Sequence, residues 1–161
     1  MKRTALQKSF FITYLLLIGL CVGAELSVGA LVAPVIFFPS GFLGEGVLSH
    51  FQSGVLMTQV FLRFNVLLMV CTSLIVIYEI YMSASKNRDF ISAFLLFVVL
   101  SGALAFVLYF TPYIVEAQKA GAVATGTADF KKIHELSELV IKVVLVGQIA
   151  LFFRRVWVEL R

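Results

Sequence analysis

Four apolar runs, each long enough to cross a bilayer, fill almost the whole chain and leave only short polar breaks between them. They fall at about 9–37, 52–83, 90–113 and 133–157. About 20 apolar residues in helical form span the ~30 Å hydrocarbon layer. Inside that layer the backbone must satisfy its own polar groups, which leaves helices or closed barrels. Long runs without apolar–polar alternation select helices. The chain is 61% hydrophobic and 14% charged, whereas soluble domains sit near ~45–50% and ~25%. One core cannot hide that surplus, because a chain of this length buries only roughly 70% of its surface. The expected fold is all-α: a single-domain, integral-membrane, up-down four-helix bundle in contact with the lipid bilayer.

The ends of the runs carry helix signals. Ser49 with Gln52 three residues later reads as a capping box. Asp89, after Ser85-Lys86-Asn87-Arg88, reads as an N-cap, and Asp129 opens the fourth helix. Pro34 lies near the outer end of the first run, and Pro112 bends or ends the third. The first run follows Lys2, Arg3 and Lys8, but it is too long for a signal peptide and has no small-residue exit. Basic residues set the orientation. Lys2, Arg3, Lys8, Lys86, Arg88, Arg154, Arg155 and Arg161 flank one side, against Lys119, Lys131 and Lys132 on the other. Positive-inside bias therefore puts both termini in the cytoplasm (N-in/C-in). Trp157, Tyr78 and Tyr81 are expected at that boundary and Tyr113 at the opposite one. The net charge of +4 suits lipid headgroups rather than nucleic acid.

Ionisable residues inside a membrane usually face the bundle interior and have partners. Glu25, Arg63 and Lys142 map to the outer half of three different spans, and one polar cluster joining Glu25 to Arg63 or Lys142 is expected there, with Asn65 close by. Such a group either lines a solute path or fixes helix register as a buried ion pair. Thr58, Asn65, Thr72 and Glu79 recur every seven residues, a polar stripe that serves as a solute path or as a hydrogen-bonded helix seam. Glu79, near the cytoplasm, is expected to be hydrated and to matter least. His134 and Glu138, one turn apart, resemble half a metal site that His50 could complete, or a solvated entrance. Cys21 and Cys71 read as packing residues. No phosphate loop, nucleophile elbow or His-Glu-x-x-His helix is present, so neither catalytic residues nor a cofactor are expected.

These residues also resemble a known family. Gly23-Ala24-Glu25-Leu26-Ser27-Val28-Gly29 followed by Ala33-Pro34-Val35-Ile36-Phe37 is similar to the first-span pattern of the bacterial domain of unknown function 4149 family. Phe61-Leu62-Arg63-Phe64-Asn65 is similar to its second-span pattern, and His134-Glu135-Leu136-Ser137 to its fourth. Where the family often carries an Asn, this chain has Ile141 beside Lys142. The resemblance implies a four-helix membrane bundle of unassigned activity in the cytoplasmic (inner) membrane. A distant tie to vertebrate transmembrane protein 205 points toward handling of a metal compound. Three roles stay open: a transport component for an unidentified small solute, acting as a homo-oligomer; a structural subunit whose polar groups only fix helix packing; or a metal- or haem-binding membrane protein using His134, Glu138 and His50.

Overall fold

The computed structural model describes residues 4–84 and 89–160. Lys2, Arg3, Lys86, Arg88 and Arg161, which carry part of the charge bias, lie outside the described residues. Four helices dominate: α1 (Ala5–Phe37), α2 (His50–Ala84), α3 (Phe90–Lys119) and α4 (Ala128–Leu160). Each is long and apolar enough to cross a membrane. Single helical turns, Ser40–Leu43 and Ala122–Thr125, sit in the α1–α2 and α3–α4 connections. At one end of the bundle Phe10 stacks on Tyr81, with ring centroids 6.2 Å apart, and Arg154 reaches Asp89. This is the terminal end; the opposite one is the loop end.

The helix starts follow local chemistry. Thr4 and Gln7 form a reciprocal capping box, so α1 begins at Ala5 rather than after Lys8. Ser49 and Gln52 make the expected box at the head of α2. The Asp89 carboxylate accepts from the Ile91 N–H at the head of α3. For α4 the cap is Thr127, whose hydroxyl accepts from the Phe130 N–H. Asp129 instead falls in the first turn, where a negative charge favours the helix dipole. The 35 residues of α2 give ~52 Å at ~1.5 Å per residue, well beyond the ~30 Å hydrocarbon layer.

Pro112 does not end α3. Five residues of π-helix, Phe106–Phe110, precede it, and the Thr111 N–H bonds to the Phe106 carbonyl five residues back. The first span repeats this arrangement: Val28–Val32 is π-helical, the Ala33 N–H bonds to the Val28 carbonyl, and Pro34 follows. A proline lacks an N–H and its ring clashes with the carbonyl four residues back. One widened turn just before it moves the crowded carbonyl aside and lets the helix continue.

In lipid, helices associate by close packing and interhelical hydrogen bonds rather than by the hydrophobic effect. The tightest approach is α3 on α4. A Cβ added to Gly102 would sit 2.5 Å from Val144 Cγ2, and one on Gly147 would sit 2.9 Å from Val99 Cγ2. Two apolar clusters fill the centre. One holds Cys21, Leu68, Cys71, Val99, Phe106 and Val144; the other, toward the terminal end, holds Tyr14, Ile18, Ile75, Tyr78, Met82 and Leu151. Tyr78 therefore belongs to the interior, 5% exposed, while Tyr81 and Trp157 keep the exposed boundary positions expected of them. Tyr78 turns inward because it shares the seven-residue face of Met57, Phe64 and Cys71, all buried.

Candidate functional site: a polar seam inside the bundle

The stripe Thr58–Asn65–Thr72–Glu79 faces the interior, and all four residues are buried. A seven-residue period holds one face of a helix against its neighbours, so each member meets another helix at its own depth. Near the loop end Gln118 Nε2 donates to Thr58 Oγ1 at 2.9 Å. Asn65 Nδ2 donates to Thr111 Oγ1 at 2.9 Å, and that hydroxyl donates to the Phe106 carbonyl, which also accepts the Thr111 N–H of the π turn. Among the described residues Thr72 is buried with no partner for its hydroxyl, and so is Gln148 Oε1 on α4. Gln148 Nε2 lies 3.6 Å from Cys21 Sγ.

Glu79 closes the seam. Arg155 holds it with two donors, Nε to Oε1 at 2.8 Å and Nη2 to Oε2. The Tyr14 hydroxyl donates to the same Oε1 at 2.7 Å. Glu79 and Arg155 are each 4% exposed, so three helices meet at one charged node. Tyr14 also stacks on Tyr78, with centroids 3.9 Å apart. Sequence alone puts Glu79 in the hydrated zone; the structure makes it the most completely bonded carboxylate of the bundle interior among the described residues. The reason is geometric. Helices α2 and α4 run parallel, and Arg155, which reads as a flanking charge, lies beside Glu79 and turns inward. Neither Tyr14 nor Gln148 carried any signal beyond its depth in an apolar run.

Just outside the spans, Arg154 forks onto Asp89, Nε to Oδ2 at 2.8 Å and Nη2 to Oδ1 at 2.9 Å, while Ser92 donates to Oδ2. The hydrogen bond from Arg154 chiefly holds the Asp89 carboxyl down at about 2, against 3.8 ordinarily, with Ser92 adding to it and partial burial opposing it. A carboxylate whose folded value is depressed adds stability above its unfolded value, and loses it as pH falls through the folded one. The melting-temperature gap between wild type and Asp89→Asn is therefore expected to be full near neutral pH. It should shrink as pH falls from 3.8 toward about 2. A gap independent of pH across that window would refute the pairing.

The outer cluster expected from sequence does not form. Arg63 is exposed and folds back along its own helix, Nη1 donating to the Gln59 carbonyl at 2.6 Å. Lys142 pairs with Glu138 at 3.2 Å, and His134 Nε2 lies 3.5 Å from Glu138, all on one exposed face of α4. Long cationic side chains reach outward to polar surroundings rather than inward across a gap. Glu25 stays buried, 8% exposed, with Oε2 unpartnered. His50 packs against Phe37 at the head of α2, centroids 5.6 Å apart. Among the described residues no group of three or more His, Cys, Asp or Glu stands close enough to share an ion, so His50 does not complete a site with His134 and Glu138. Asn65 alone of the expected path residues takes its place in the seam.

The profile of the domain of unknown function (DUF4149) matches residues 16–123, more than half of the chain. This chain belongs to the DUF4149 family. The matched stretch covers most of α1, all of α2 and all of α3, including both π-turn–proline elements and the whole Thr58–Glu79 stripe. It stops before α4, so the resemblance at His134 and Ser137 lies beyond it. Neither the curated proteins nor the solved structures yield a match to this DUF4149 chain. The family description assigns no activity, and function rests on what the seam can do.

Proposed function

We infer that the chain is a structural or accessory subunit of the cytoplasmic membrane, with both termini inside the cell, whose buried polar residues fix helix packing. The observation that carries this is the use of those residues: Thr58, Asn65 and Glu79 are each bonded to a side chain of another helix. Interhelical hydrogen bonds in membranes average about 0.6 kcal/mol, so a series of them sets register more than it adds stability. In this reading the lipid-facing side of α1 receives a second copy. Gly19 and Gly23 have nothing within 4 Å of an added Cβ, and small residues let helix backbones approach closely.

Cysteine trapping tests it. In a chain with Cys21→Ser and Cys71→Ala, Gly19→Cys or Gly23→Cys is expected to give a covalent dimer in native membranes under mild oxidant. Ile18→Cys, at a fully buried position, should not. A monomer from both glycine variants, together with a single-copy mass in mild detergent, would overturn the reading. A transport component is the second reading, and one observation favours it: Glu25 is a buried carboxyl that no helix contact uses.

A further inference from the structure

We propose that Glu25 is the anchor of a binding site for a lipophilic amine, a protonated nitrogen carried on an apolar body. The site stands on a residue the packing role does not need, so either proposal can fail alone. The buried face of α1 runs Tyr14, Ile18, Cys21, Glu25 and stops there. No residue of the following Val28–Val32 and Ala33–Phe37 segments is buried, and Leu31 and Val35 are 67% and 53% exposed. Glu25 is thus the last buried residue of α1; beyond it Val28, Val32, Ile36 and Phe37 are half-buried, and Ala33–Phe37 still packs against α2. Just beyond it the helix widens into its π turn, and the Val28 N–H is shared between the Ala24 and Glu25 carbonyls.

Among the described residues the carboxyl has no hydrogen-bond partner. Oε2 is buried without a hydrogen bond, and no ion pair to Glu25 occurs among the described residues. The two cations that could have served are engaged elsewhere, Arg63 with Gln59 and Lys142 with Glu138. A buried acid escapes the cost of desolvating its charge either by holding a proton or by meeting a donor. In the second case the donor arrives from outside the chain.

The surroundings say which kind. One turn back is the Cys21 thiol, within an apolar cluster that includes Phe64, Leu68, Ile141 and Val144. Hard cations such as sodium or calcium need several oxygen ligands, which thiols and aliphatic side chains do not supply. An ammonium group needs one carboxylate for its N–H donors, and an apolar tail suits the aliphatic surroundings and the exposed apolar face that Leu26, Leu31 and Val35 present beside it. Recognition of this kind reads charge and greasiness, with little demand on the shape of the tail.

The test uses the full chain in lipid nanodiscs and a matched pair of probes, phenethylamine and phenethyl alcohol. They differ in the cationic group alone, and heats from empty nanodiscs are subtracted in calorimetric titration. The amine is expected to bind saturably to wild type, with the alcohol at least about tenfold weaker. Glu25→Gln should weaken the amine by a similar factor and leave the alcohol unchanged. Glu25→Asp keeps the carboxyl and should retain intermediate binding, which guards against a Gln variant that folds poorly. Equal binding of amine and alcohol, unchanged amine binding in a folded Glu25→Gln chain, or no saturable binding to wild type would each overturn the proposal.

Discussion

Arg155→Met is expected to destabilise the bundle by about 3–5 kcal/mol, because it leaves the Glu79 carboxylate buried with the Tyr14 hydroxyl as its remaining partner among the described residues. The size follows from what is left behind rather than from the strength of the pair. Two charges taken out of water roughly recover their desolvation only while both are present. Replacing the whole node at once, Tyr14→Phe with Glu79→Leu and Arg155→Met, removes every orphan and is expected to recover most of the loss. Reversible unfolding in mixed micelles, read by tryptophan fluorescence of Trp157 and by circular dichroism, measures both. A single-variant effect below about 1 kcal/mol is what a solvent-exposed pair gives. That result would mean the node is hydrated, as its position in the sequence suggests, and would remove the case for a charged lock.

The architecture was legible because a bilayer leaves few choices. Runs of this length and apolarity can only be helices, and Ser49 and Asp89 mark their starts in the expected way. The seven-residue spacing of Thr58, Asn65, Thr72 and Glu79 likewise exposed the seam before any coordinates, since a period of seven keeps one face toward the same neighbours. What a single chain could not reveal was pairing across helices. Arg155 and Arg154 are adjacent in sequence and both read as flanking charges. Yet a rotation of about 100° per residue sends one inward to Glu79 and the other to Asp89. The same blindness made Glu25, Arg63 and Lys142 look like partners. Hydropathy gives depth, but helix rotation decides who meets, and rotation is set by contacts such as Gly102 on Val144. The π turns before Pro34 and Pro112 were hidden for a related reason. A proline announces a disturbance, and whether the helix stops or widens depends on the neighbours that hold its far end.

That same contact gives the second large effect. Helices α3 and α4 interlock reciprocally: Val144 fills the notch at Gly102, and Val99 fills the notch at Gly147. Val99 and Val144 are both fully buried, and a β-branched side chain in a helix has essentially one rotamer, so neither can swing aside. Gly102→Ala gains at most ~1 kcal/mol of helix propensity. Its new methyl group would lie 2.5 Å from Val144 Cγ2, and overpacking of that kind costs ~1–3 kcal/mol. The steric term wins, and the variant is expected to be less stable than wild type. Gly102→Leu should push the two helices apart and fall at or beyond the top of that range. Pairing Gly102→Ala with Val144→Ala exchanges volume across the contact and should return most of the stability, a coupling that a double-mutant cycle measures directly. If Gly102→Leu leaves the unfolding midpoint where it was, α3 and α4 do not approach this closely. The helix rotations that carry Arg154 to Asp89 and Arg155 to Glu79 would then have to be drawn differently.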